Sequence, residues 1–188
     1  MSKLSDEILK KKYEELRNNF IKGDFKKVIK GCNKILEKRK NQLFFNLLCI
    51  AYQKIGKIEK SIDVMNEALT LNPNHPDFLN NLGLSFYKLH KFSEAEKYFK
   101  KGLEVDNKNL HILNNLGNLK RETFKVEESI DYYKKVLSIQ RDAVPALFNL
   151  VGICRITNRK EDSKQYCKEI IKLNKKLTEA DRQYSLVH

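Results

Sequence analysis

Laid over itself with a step of 34 residues, the chain matches LNNLGLSFYKLHKFSEAEKYFKKGLEVDN (79–107) to LNNLGNLKRETFKVEESIDYYKKVLSIQR (113–141) without a gap. A fixed period of that length belongs to arrays of small units, each burying a face on the next, and not to one closed core. The register extends back over 42–75 and forward over 144–177, so four consecutive repeats obey one spacing.

Each repeat carries two apolar stripes at helical spacing. The first is marked by Phe45, Leu48 and Tyr52, or by Leu79, Leu82 and Phe86. The second reads Ile62, Met65, Leu69 in one repeat and Ala95, Phe99, Leu103 in the next, then Ile130, Tyr133, Leu137, and finally Tyr166, Ile170, Leu173. Every repeat is therefore predicted to be a helical hairpin, helix A followed by helix B. With only 7 Gly and 3 Pro, the turn signals of an all-β fold are missing.

In family terms the seventh position is Leu48, Leu82, Leu116 and Leu150, the eighth Cys49, Gly83, Gly117 and Val151, and the twentieth Ser61, Ala95, Ser129 and Ser163. This pattern resembles the tetratricopeptide-repeat family, in which small residues at the eighth and twentieth positions let helices A and B approach closely. There are departures. Lys120 stands where the family has a core aromatic, Val151 where it has a small residue, and Pro occurs at the thirty-second position only as Pro73.

Residues 9–41 read as a degenerate first repeat, with Gly23-Asp24-Phe25 at the inter-helix turn and one residue missing before the next repeat. The resemblance implies an all-α, right-handed superhelical solenoid of about five antiparallel helical hairpins in one domain over 1–188. The repeats are then 9–41, 42–75, 76–109, 110–143 and 144–177. After Leu177, Thr178 and Asp181 have a capping-box-like spacing, and Tyr184 and Val187 share a face. A further helix is expected over 178–188, either a cap on the last hairpin or the opening of a following element.

The resemblance further implies a concave groove lined by the A helices, suited to an extended peptide or a partner's helix. The sixth position of each repeat faces it and is Asn81, Asn115 and Asn149, preceded by Leu47. An Asn amide can pair with the C=O and N–H of any peptide backbone. The arrangement is similar to the asparagine ladder of O-linked N-acetylglucosamine transferase repeat domains. Neighbouring groove positions are Asp77, Asn80, Leu84, Tyr87 and Lys88, then His111, Asn114, Asn118, Arg121 and Glu122, then Phe148 and Arg155. A second subclass clamps a C-terminal carboxylate with Lys, but the clamp positions here hold Leu43, Asp77, His111 and Pro145.

The expected function is thus a protein-interaction module for a protein or peptide ligand, with no cofactor and no metal. His75, His90, His111 and His188 are scattered, and no phosphate loop, HExxH or nucleophile elbow is present, which argues against an enzyme. Cys32, Cys49, Cys154 and Cys167 lack ligand spacing and fall inside apolar helical patterns, so all four are expected as reduced core thiols. The net charge of +13 gathers at the ends: +7 over 1–41, +2 over 42–143 and +4 over 144–188. Nearly neutral central repeats argue against nucleic acid as ligand. The absence of a signal-like start or a long apolar run argues for a cytoplasmic protein and against a membrane. Three alternatives stay open: a substrate-recognition domain of a larger transferase, nonspecific polyanion binding through the basic terminal hairpin, and self-association through the terminal helices.

Overall fold

The computed structural model describes residues 5–187, with side chains as far as residue 175. Its elements are all helical, and the described residues contain no strand. They fall into two compact bodies, residues 1–107 and 108–188. The first holds α1 (Asp6–Ile21), α2 (Phe25–Lys38), α3 (Gln42–Lys54), α4 (Ile58–Leu71), α5 (Pro76–Lys88) and α6 (Phe92–Val105). The second holds α7 (Leu110–Glu122), α8 (Val126–Ile139), α9 (Val144–Ile156) and α10 (Lys160–Val187). The A helices of the four regular repeats therefore begin at 42, 76, 110 and 144, where the period places them.

One backbone device makes each A helix turn into its B helix. A residue in the left-handed region follows helix A: Gly23, Gly56, His90, Phe124 and Asn158, at φ 79, 74, 57, 59 and 58°. The next N–H then reaches back over the last turn, as from Lys57 to the Tyr52 carbonyl (3.0 Å), Lys91 to Phe86 (3.0 Å) and Lys125 to Lys120 (2.8 Å). This satisfies a carbonyl that the helix end would otherwise orphan. Glycine takes that conformation freely, whereas Phe124, 91% exposed, takes it against the clash of its own Cβ.

In the first body, neighbouring helices pack in chain order, and α3 also touches α1 and α5. The core joins Cys32, Phe44, Phe45, Leu48, Cys49, Met65, Phe78 and Leu82, with Phe45 and Phe78 edge to face at 6.2 Å. Burial pushes the Cys32 and Cys49 thiols up to about 12. A polar seam runs through this core. Gln53 Nε2 donates to Ser85 Oγ (2.9 Å) and to the Asn81 carbonyl (3.2 Å), while the Ser61 and Ser85 hydroxyls lie 2.8 Å apart. The seam ties α3, α4 and α5 together with its donors matched to acceptors, the condition under which buried polar groups are tolerated.

In the second body α8 packs on α7, α9 on α8 and α10 on α9. Ser129 Oγ donates to the Gly117 carbonyl at 2.7 Å, and the Tyr133 ring fills the space a side chain at Gly117 would need. Lys120, which replaces a core aromatic, is buried at 3% exposure and extends its ammonium to Glu128 of α8 at 2.7 Å. Its alkyl stem packs as a hydrophobe while the head finds a carboxylate at the edge.

Two expectations are corrected here. Cys167 is exposed, unlike Cys32, Cys49 and Cys154, because the last hairpin has no following A helix over it among the described residues. And α10 runs unbroken from Lys160 to Val187, so no separate helix begins at Thr178. Its capping-box-like residues sit mid-helix, where the N–H groups already have intrahelical partners. The shared face of Tyr184 and Val187 lies outside the described side chains.

Candidate functional site

The asparagines singled out in the sequence divide between the bodies, Asn81 in the first and Asn115 and Asn149 in the second. Both sets stand on A helices, and a neighbouring A helix ties down Asn81 and Asn149.

In the first body, Asn81 of α5 is only 8% exposed and its Nδ2 donates to Asn46 Oδ1 of α3 at 2.9 Å. Its own carbonyl accepts from Gln53. Asn80 and Tyr87 are half-buried, Tyr87 with its ring 5.7 Å from that of Phe92, and Lys88 is exposed at the helix end. Sequence reasoning passed over Asn46 because it precedes the sixth position by one residue. An amide one position early still reaches the next A helix, because side chains lean toward the helix N-terminus.

In the second body the amides form a bridge. Asn149 Nδ2 of α9 donates to Asn118 Oδ1 of α7 at 3.4 Å, and Asn149 Oδ1 accepts from Arg121 Nη1 at 3.2 Å. Asn118 Oδ1 also accepts from the Tyr133 hydroxyl at 2.7 Å. Asn118, Arg121 and Asn149 are thus one half-buried network braced from behind by α8. Asn114 and Asn115 are half-buried one turn earlier on α7, and Arg155 is exposed on α9. Phe148, on α9, is 58% exposed.

Chemically this is a buttressed polar face and not a row of idle amides. Asn149 keeps a second lone pair on its oxygen, whereas Asn118 already accepts twice, and the Arg121 fork has donors beyond the one given to Asn149. Such a face can accept backbone N–H groups and donate to backbone carbonyls or a carboxylate, with Phe148 as an apolar neighbour. A separate open cleft of about 950 Å³ lies on the B-helix side of this body, lined by Lys134, Leu137, Arg141, Tyr166, Glu169 and Leu173. Burial raises the Tyr166 hydroxyl above its ordinary range, before any charge acts on it.

No three His, Cys, Asp or Glu side chains converge as a metal site among the described residues, and no described helix is long and apolar enough to cross a membrane.

Comparison with known proteins agrees with this architecture. The tetratricopeptide-repeat profiles match residues 76–109 and 109–145, and a TPR-repeat profile matches residues 51–90. No curated protein matches significantly in sequence. Among solved structures, MamA is similar at 17% identity and a TM-score of 0.71, over 86% of this chain and 95% of that one. The pilF protein of Pseudomonas aeruginosa is similar at 16% identity and 0.77, over 89% and 77%. BtubC from P. vanneervenii is similar at 18% identity and 0.77, over 91% and 81%. At such identities the likeness speaks for the fold alone. With its four repeats in register, its recurring left-handed turn and these profile matches, the chain belongs to the tetratricopeptide-repeat family.

Proposed function

We propose that the protein is a non-catalytic interaction module that binds an extended segment of a partner protein along its A-helix faces. The observation that carries this reading is the Asn118–Arg121–Asn149 network, pre-organised on two helices beside the exposed Phe148 and Arg155. Groups held in place by their neighbours lose little freedom when a ligand arrives, which favours affinity. Tetratricopeptide repeats generally mediate protein–protein contacts, and the polar, sequence-indifferent chemistry of Asn suits a peptide backbone. A cytoplasmic setting accords with four free thiols, three of them buried.

The test is a synthetic peptide array probed with the protein and with the Asn81→Ala, Asn115→Ala, Asn149→Ala triple variant. Peptides selected by the wild type should bind the variant roughly tenfold more weakly or worse, about 1.4 kcal/mol. Equal binding by both proteins overturns the reading.

A further inference from the structure

Within the second body, α9 packs over the α7/α8 hairpin, where Gly117 is buried and Ser129 and Tyr133 are fully buried. In the first body α5 covers α3/α4 in the same manner, and Cys49, Ser61 and Met65 are fully buried there. One period beyond Gly117, Ser129 and Tyr133 stand Val151, Ser163 and Cys167, the first two half-buried and the third exposed. Ile171, one turn further along α10, is 56% exposed. This face has the make-up of a stacking interface, and no described element lies on it.

Its charge is mainly basic. Helical spacing gathers Lys160, Ser163, Lys164, Cys167 and Ile171 on one face of α10, with Lys168 on its flank. Asp162 and Glu169 fall on the other side, while Glu161 stands seven residues before Lys168 on the same flank and pairs with Lys164 at 2.8 Å.

We propose that this face is a second docking surface, which takes an amphipathic helix of a partner protein whose narrow apolar stripe is flanked by Asp and Glu. The helix lies across α9 and α10 as α9 lies across α7 and α8, its stripe on Val151, Cys167 and Ile171 and its acids beside Lys160, Lys164 and Lys168. Continuity with the repeat interface sets the shape, and the basic rim sets the charge of the occupant. A second copy fits poorly. The same face turned on itself sets lysine against lysine, and α1 exposes ion-paired Lys11, Lys12 and Glu15 where an apolar stripe is needed. The surface is independent of the A-helix network and can fail or hold without it.

The probe is a helix-stabilised synthetic peptide with the α9 stripe of Ala146, Leu147, Leu150 and Ile153 and Glu at its outward positions, titrated by fluorescence anisotropy. A twin peptide carries Lys in place of Glu. The Glu peptide should bind at least tenfold more tightly than the Lys twin, and Ile171→Glu should weaken it by roughly tenfold. Lys164→Glu with Lys168→Glu should reverse the preference between the twins. All three changes are at exposed positions, so circular dichroism should show an unaltered fold. Failure of the Glu peptide to bind, equal binding of the twins, or indifference to Ile171→Glu overturns the proposal. So does a dimer in light scattering that Ile171→Glu dissociates, since a second copy would then cover the face.

Discussion

The first and last hairpins are built on one plan but face water differently. On α1 three ion pairs lace the surface, Lys11 with Glu7 at 3.1 Å, Lys12 with Glu15 at 2.6 Å and Arg17 with Glu14 at 3.7 Å, while Leu9 and Leu16 turn inward and Ile8 and Ile21 stay exposed near the helix ends. On α9/α10, Phe148 and Ile171 are more than half exposed and the Cys167 thiol is open. A surface laced with short-range ion pairs gains little energy from them, yet it keeps an array's end soluble and unattractive to other chains. An end with apolar side chains and a basic rim is left able to stack. The same repeat positions thus mean packing in one hairpin and exposure in another, according to whether a neighbouring helix lies over them.

The sharpest way to break that comparison is to make one change at equivalent positions. Tyr133→Ala should cost about 3–5 kcal/mol in urea unfolding because its ring is fully buried between helices. Cys167→Ala, one period later, should cost under about 0.5 kcal/mol. A cost above about 1 kcal/mol at Cys167 would show that α10 is covered in solution.

The glycines offer a smaller contrast of opposite sign. A Cβ on Gly117 would meet the Tyr133 ring at 2.6 Å, whereas one on Gly152 meets nothing within 4 Å. Gly117→Ala is predicted to destabilise by about 1–3 kcal/mol, and Gly152→Ala to stabilise by about 0.5–1 kcal/mol as a better helix former. Glu128→Ala removes the carboxylate 2.7 Å from the Lys120 ammonium and should cost about 1–2 kcal/mol, less than a fully buried pair because Glu128 is half exposed. A further effect concerns the turns. Phe124→Gly removes a bulky residue from the left-handed region and should raise stability by about 1 kcal/mol, read from the same unfolding curves.

Much of the fold was legible because tetratricopeptide signals are local and repeated. Gly23 and Gly56 mark the turn, small residues mark the close approach of A and B, and the period carries those marks onto His90, Phe124 and Asn158, which taken singly signal nothing. Contacts between hairpins were harder to read. Gln53 and Ser85 lie 32 residues apart, and nothing in either neighbourhood announces their shared seam. The asparagines were found by register, but not that Asn149 would already be held by Asn118 and Arg121, since that depends on how two A helices lie together. Cys167 and Thr178 were misread for a related reason. A local pattern shows which face is apolar, or where a cap could form, but not whether a neighbour covers the face or the helix has reason to stop.

The most direct test of peptide capture on the A-helix faces is hydrogen exchange on the protein with and without an array-selected peptide. Slowed exchange is predicted in α7 and α9, around Asn118, Arg121 and Asn149, with α8 and the cleft at Lys134 and Tyr166 unchanged. Protection confined to α8 and α10, with the A helices exchanging as in the free protein, would contradict it.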